Sequence, residues 1–145
     1  MFNFDISLLQ CNCLEHQLTY KISQFSKHNM DDKIYKDSAI IQKVWEKAAI
    51  TDGKNPDLLR KDYAGAWIKR DDYNKLSTYG WQIDHILPLS QGGTDDIDNL
   101  VPLHWRNNKS KGDDYPRWHT EVTSESDANI LKNRLWKISD RNDRN

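Results

Sequence analysis

The sequence predicts an α+β fold whose centre is two short strands followed by a helix. Residues 81–87 and "NLVPL" at 99–103 are short, largely apolar segments that each meet a proline, as strand ends and edge strands often do. Between them, "SQGGTDDID" has the composition of a loop. After Leu103, "HWRNNKSKGDD" predicts a short helix that ends with Gly112 at its C-terminal cap.

The N-terminal part predicts additional helices. Residues 1–37 are interpreted as an N-terminal extension with one amphipathic helix, because four apolar residues recur there at near-helical spacing: Leu14, Leu18, Ile22 and Phe25. Residues 38–50 predict a second helix, with Ser38 as its cap and one apolar stripe: Ile41, Val44, Trp45 and Ala48. Asn55-Pro56 predicts the start of a short helix that stops near Gly65, followed by irregular structure over 66–80.

The C-terminal part, 121–145, is predicted to be a helix and a tail. The helix is expected over 124–138 because its apolar residues follow helical spacing: Ile130, Leu131, Leu135 and Ile138. Residues 38–120 then form the central domain. A chain of 145 residues is consistent with one such domain.

The composition excludes several classes of protein. The chain is 37% hydrophobic with a mean hydropathy of −0.91, yet six Trp and six Tyr argue against a wholly disordered chain. No apolar run is long enough for a transmembrane helix, and no secretory signal is visible, so we expect a cytoplasmic protein that does not bind membranes. Cys11 and Cys13 have no second pair to complete a zinc site and are interpreted as reduced thiols.

The net charge of −1 gives no indication of a polyanionic partner, but the charges are unevenly distributed. Residues 84–98 hold four Asp and no base, whereas 54–75, 99–120 and 132–145 each hold more Lys and Arg than acids. This pattern fits a metal site flanked by phosphate contacts. It also fits a mixed solvated surface, which is the better interpretation of charge alone.

Polar residues with catalytic potential follow the predicted core elements. Asp84 and His85 are adjacent on the first strand, where successive side chains point to opposite faces. Asn99 opens the second strand. On the helix, His104, Asn108 and Lys111 are spaced so that they share one face, which is unusual for a stripe that packs into a core.

These motifs together resemble the HNH endonucleases, which have a ββα-metal (His-Me finger) core. The matching text is "DH-I-x-P" at 84–88, "GG" at 92–93, "NLVPL" at 99–103 and "NN-x-x-KGD" at 107–113. The intervals agree as well, with 14 positions from His85 to Asn99, nine more to Asn108 and three more to Lys111. The "RKDYAGAWIKR" segment upstream is similar to the lead-in of compact bacterial members.

The resemblance implies a role for each matching residue. His85 corresponds to the general base that activates water, and Asn99 to the residue that fixes the loop and so orients the histidine. Asp84 and Asn108 correspond to the metal ligands. Lys111 corresponds to a cation near the scissile phosphate. Arg106 and Lys109, on the same helix, are interpreted as solvated or phosphate-contacting residues.

The chemistry of these residue types is consistent with the implied roles. An imidazole with the ordinary pKa of about 6.5 is largely neutral at pH 7 and can accept a proton from water. One carboxylate and one amide oxygen suit a single divalent cation, Mg²⁺ in preference to Mn²⁺. Relatives with paired C-x-x-C motifs carry structural zinc. Those motifs are absent from this sequence, so we expect no structural zinc and a core held by packing, with Trp81, Trp105 and Trp118 contributing.

The expected function is therefore metal-dependent hydrolysis of DNA, with a protein partner or guide left open. One alternative is a ββα DNA-binding module with little catalysis, part of a larger defence, restriction or phage system. Another is an interaction protein that uses the acidic loop. The complete Asp-His, Asn, Asn and Lys set favours the nuclease. Two residues have open interpretations: His104 could pack against the hairpin or share the site, and Trp105 could pack in the core or stack on a base.

Overall fold

The computed structural model describes residues 33–138, and the α+β prediction is confirmed for them. Residues 38–138 lie in one compact unit. Its elements are α1 (Ser38–Glu46), β1 (Leu59–Lys61), β2 (Trp67–Lys69), β3 (Trp81–His85), β4 (Leu100–His104), α2 (Trp105–Lys111), β5 (Arg117–Glu125) and β6 (Ala128–Lys137). The amphipathic helix predicted within the N-terminal extension lies outside the described residues. Among residues 33–138, no helix combines the length and apolar character needed to cross a bilayer.

Helix α1 confirms the helix predicted from its apolar stripe, although it ends four residues earlier than expected. Val44 and Trp45 are its buried residues, and the Trp45 ring packs against Trp81 of β3 with the ring centroids 5.5 Å apart. After the helix, Ala49 forms an antiparallel bridge with Lys61. This pairing, which a single sequence window cannot reveal, replaces the last helical turn.

The helix predicted from Asn55 to Gly65 is wrong, because most of this segment is a β-hairpin. Pairing of β1 with β2 sets Leu59 opposite Lys69 and Lys61 opposite Trp67. The Asp62 carboxylate accepts the backbone N–H groups of Ala64 (2.9 Å) and Ala66 (2.7 Å), and this local turn competes with helix formation. At the predicted start of this helix, the structure has one helix-like turn.

The central strand–strand–helix arrangement was predicted correctly. β3 and β4 are antiparallel, with Trp81 opposite His104 and His85 opposite Leu100. Helix α2 follows β4 directly and ends at Gly112, whose N–H donates to Asn108 O at 3.0 Å. Because strand residues alternate, Gln82 and Asp84 share one face of β3 while Trp81, Ile83 and His85 share the other.

The C-terminal helix predicted over 124–138 is wrong. Residues 117–137 form a long antiparallel hairpin of β5 and β6, turned at Ser126, whose φ is +49°. In β5 the buried residues Trp118, Thr120 and Val122 alternate with exposed ones, which is the period of a strand. The predicted domain boundary at residue 120 falls within β5.

This hairpin supplies part of the hydrophobic core. Trp118 lies opposite Trp136 in the strand register, and both are buried. They join a cluster that also contains Tyr63, Ala64, Val101 and Leu103. The core therefore connects the β1–β2 turn, β4 and the C-terminal hairpin, and it holds the β3–β4–α2 segment in place.

Candidate functional site

A buried ion pair lies where α2 packs on β3. The Lys111 ammonium is 3.2 Å from Asp84 Oδ1 and donates to the backbone carbonyl of His85 at 2.8 Å. The Lys111 and Asp84 side chains are 1% and 7% exposed, respectively. Lys111 therefore neutralises Asp84 and also fixes the backbone at the end of β3.

The Asp84 carboxyl is electrostatically unusual. Burial raises its pKa from 3.8 to about 6, although the Lys111 ammonium acts to lower it. Its second oxygen, Oδ2, is buried without a hydrogen-bond partner within residues 33–138. Leaving a buried carboxylate oxygen without a donor costs about 1–3 kcal/mol, more for a charged group. A water molecule or a bound ion can supply the missing contact of such an atom.

Asn108 forms a second contact between α2 and β3, next to the ion pair. Its Nδ2 donates to Gln82 Oε1 at 2.9 Å, and Gln82 Nε2 in turn donates to Asn74 Oδ1 at 3.2 Å. Gln82 is two residues before Asp84 on the same strand face, and Asn108 is three residues before Lys111 on the same helix face. Asn108 therefore contacts the strand face that carries Asp84, and the contact that fixes its amide uses the nitrogen instead of the oxygen.

The His85 ring points away from this pair, towards the loop that follows β3. His85 Nε2 lies 2.8 Å from Asp95 Oδ1, with the two side chains 10% and 31% exposed. The opposite directions of Asp84 and His85 are those expected for neighbours on a strand. Asp95 was not predicted as a site residue. The sequence shows only that Asp95 belongs to the acidic loop.

Asn99 fixes the loop that carries Asp95. Its Nδ2 donates to the carbonyls of Leu87 (3.0 Å) and Thr94 (2.8 Å), and its Oδ1 accepts the Leu87 N–H at 2.9 Å. Gly93 permits this close approach, because a Cβ at that position would lie 1.8 Å from Leu87 O. Asn99 thus closes the loop by side-chain hydrogen bonds.

The residues that form this site lie in one segment that matches a protein family. Residues 69–114 match the family model described as HNH endonuclease. The resemblance inferred from the sequence is confirmed for this HNH segment, which contains β3, β4, α2 and every predicted site residue. No curated protein and no solved structure matches the chain. The C-terminal hairpin lies outside the HNH segment.

Two other residues of the HNH segment have structural contacts. His104 Nδ1 accepts the Arg106 N–H at 3.2 Å and caps α2, while Nε2 lies 3.1 Å from the Thr78 carbonyl. Burial lowers the pKa of His104, which favours the neutral ring. Because both ring nitrogens are engaged, His104 is a helix cap. Trp105 is half-buried, with its Nε1 2.7 Å from Ser77 O and the Arg106 guanidinium 4.6 Å from its ring centroid.

A buried polar cluster supports α2 from the other side. Asn107 Nδ2 donates to Val122 O at 2.9 Å, and its Oδ1 accepts the N–H groups of Glu121 (2.9 Å) and Val122 (2.8 Å). Asp62 Oδ2 accepts the His104 N–H at 2.8 Å and lies 3.4 Å from Asn107 Nδ2. Burial raises the pKa of Asp62, opposed by these hydrogen bonds. This cluster was not predicted from the sequence, because its members are far apart in the chain.

The remaining predicted substrate contacts, Arg106 and Lys109, lie away from the ion pair. Lys109 is exposed on the outer face of α2. The Arg106 guanidinium is 3.7 Å from the Glu121 carboxylate and partly exposed. Both cations are accessible to a phosphate, whereas the Lys111 ammonium is enclosed by Asp84 and His85.

The family resemblance implies a divalent cation, for which Asp84 and Asn108 are the candidate ligands. Within residues 33–138 there is no group of three or more His, Cys, Asp or Glu side chains that could hold a metal. Asp84 with its unpartnered oxygen and the neighbouring Asn108 amide offer two oxygen donors. This is the donor set of a hard cation such as Mg²⁺, which usually keeps several waters and binds through one or two carboxylates. The chemistry of these two residue types suits such an ion.

Proposed function

We propose that this chain is a metal-dependent endonuclease that hydrolyses DNA phosphodiester bonds at the HNH segment. The observation that carries the proposal is the buried Asp84 carboxylate with an unpartnered oxygen, next to a histidine whose ring is held by its own hydrogen bond. The match to the HNH family supports the reaction class.

Each residue has a role in this mechanism. Asp84 and Asn108 would hold one divalent cation, Mg²⁺ in preference to Mn²⁺. When bound, such an ion would supply neutralisation of the phosphate charge and stabilisation of the leaving oxygen. On the opposite face of β3, His85 accepts a proton from the attacking water. Asn99 acts on His85 indirectly, through the loop that it closes.

The contacts of Lys111 favour a role at Asp84. Its ammonium keeps the buried Asp84 charged, and its bond to the His85 carbonyl fixes the strand end between the two catalytic side chains. A direct phosphate contact, as the resemblance implies, requires this ammonium to leave Asp84. Lys109 and Arg106 are better suited to the DNA backbone because they are accessible.

The test is incubation of supercoiled plasmid with the purified chain and Mg²⁺. We expect nicking or linearisation that EDTA abolishes and that His85→Ala reduces by roughly 10²–10⁴-fold, the usual contribution of a general base. His119→Ala is the matched control, because His119 is an exposed histidine outside the HNH segment. Equal cleavage by wild type and His85→Ala would remove His85 from the mechanism. Duplex binding without cleavage by wild type would instead support the ββα DNA-binding module.

A further inference from the structure

The contact between His85 and Asp95 determines how the histidine ring is held. A neutral imidazole carries one proton, on either Nδ1 or Nε2, and the hydrogen bond made by one nitrogen selects the tautomer. An ionised carboxylate only accepts hydrogen bonds. At 2.8 Å from Asp95 Oδ1, Nε2 therefore carries the proton, and Nδ1 is left with the lone pair.

The loop around Asp95 is built to hold this carboxylate. Thr94, its chain neighbour, is bonded through its carbonyl to the Asn99 side chain at 2.8 Å. Gly93 lies so close to the Leu87 carbonyl that no side chain would fit there. His85 is itself fixed by Lys111, whose ammonium donates to the His85 carbonyl at 2.8 Å. Both partners of the hydrogen bond are thus held by independent contacts. The path from Asn99 to Thr94, Asp95 and the His85 ring provides a physical route by which Asn99 orients the histidine.

We propose that Asp95 is a positioning residue for His85. Its carboxylate accepts the Nε2–H hydrogen bond, fixes the ring orientation and leaves Nδ1 as the atom that takes the proton from water. The catalytic part of this inference rests on the proposed nuclease function. The tautomer part does not, because it can be measured in the protein without substrate.

The direct measurement is the tautomer of His85. Protein labelled with ¹⁵N-histidine is examined by long-range ¹H–¹⁵N correlation at about pH 8.5, where an ordinary imidazole is neutral. The His85 signals are assigned by their absence from His85→Gln. We expect wild type to show the Nε2–H form alone, and Asp95→Ala to show a mixture of the two tautomers, because a neutral imidazole without a partner populates both forms. Asp95→Asn, which keeps an acceptor oxygen, should retain the Nε2–H form.

The matched control is Asp98→Ala. Asp98 is an exposed carboxylate three residues away in the same loop, so this variant removes the same charge without touching His85. We expect it to preserve the wild-type tautomer. A Nδ1–H ring in wild type, or an unchanged tautomer in Asp95→Ala, would overturn the proposal.

Plasmid cleavage tests the catalytic consequence. Loss of an orienting partner should lower kcat of Asp95→Ala roughly 10- to 100-fold with little change in KM, because Asp95 acts on the base and not on DNA affinity. Asp95→Asn should recover much of the rate, and Asp98→Ala should match wild type. A raised KM with unchanged kcat would contradict positioning and indicate a substrate contact. If wild type cleaves nothing, the proposed function fails, and the tautomer measurement still decides the role of Asp95.

Discussion

Replacing Lys111 by Met tests whether its ammonium is the buried counter-ion of Asp84. Methionine preserves much of the side-chain volume but removes the charge from a position that is 2% exposed. Asp84 is then left in the interior without its only charged partner among the described contacts. Removal of one member of a buried ion pair typically costs about 3–5 kcal/mol. This is a large share of the roughly 5–15 kcal/mol that stabilises a domain.

The cost should depend on pH because Asp84 must be ionised for the pair to exist. Burial raises the folded-state pKa of Asp84 from 3.8 to about 6. Because the pKa of Asp84 is higher in the folded state than in the unfolded state, the protonated carboxyl stabilises the folded state by about 3 kcal/mol relative to the ionised one. This contribution is complete below pH 3.8 and is lost as the pH rises through 6. Without Lys111 the folded pKa rises further, so stability continues to fall at higher pH. The difference between Lys111→Met and wild type should therefore be large at about pH 8 and small at about pH 5.

Urea unfolding followed by tryptophan fluorescence measures this difference. At about pH 8 we expect Lys111→Met to lose at least about 3 kcal/mol, which corresponds to a Tm roughly 12 °C lower or more. Lys109→Met is the control, because it removes an exposed lysine from the same helix and should change stability by less than about 0.5 kcal/mol. Equal urea midpoints for the two variants at pH 8, or a difference that does not shrink at pH 5, would refute the buried counter-ion.

Two further predictions concern neighbouring residues of α2. Asn107→Ala should lower the free energy of unfolding by roughly 3 kcal/mol or more. The substitution leaves the N–H and C=O groups of Val122 and the N–H of Glu121 without their buried partner. A loss below about 1 kcal/mol, measured by urea unfolding, would contradict this. Lys109→Ala should weaken duplex binding and reduce the slope of log K against log salt by about 0.9, as one lost phosphate contact does; an unchanged slope by fluorescence anisotropy would place Lys109 outside the DNA surface.

The β3–β4–α2 segment was predictable because its signals are local. Pro88 follows the first strand region and Asn99 precedes the second strand. Gly112 directly follows the last residue of the helix. Each of these residues acts on backbone within a few positions of itself. A single sequence contains all the information that such local decisions require.

The C-terminal hairpin was not predictable in the same way. The apolar residues of β6 fit a helical stripe, yet Leu131 and Leu135 are 72% and 47% exposed. The segment is buried through Trp136, which lies opposite Trp118 in the strand register and joins the core cluster with it. Strand propensity depends on such partners, so a window over one strand cannot reveal it.

The site shows the same division. The sequence intervals identified the HNH segment from five residues: Asp84, His85, Asn99, Asn108 and Lys111. They did not show which of these side chains are in contact. The burial of Lys111 depends on how α2 lies against β3, and the partner of His85 depends on a loop closed by Asn99. Asp95 was one of four aspartates in residues 84–98, and no sequence property separates it from Asp96 or Asp98.

The hairpin outside the HNH segment should be essential for folding, since it supplies Trp118 and Trp136 to the shared core. A chain that ends at Asp114 keeps the whole HNH segment but loses Trp118, Val122 and Trp136 from the core, and it removes the buried partners of Asn107. Truncating one buried aromatic side chain costs about 3–5 kcal/mol, so losing two tryptophans removes most of a typical domain's stability. We expect no cooperative urea transition for this chain, whereas the full chain should show one. A cooperative transition in the shorter chain, with an m-value in proportion to its length, would show that the ββα segment is stable alone.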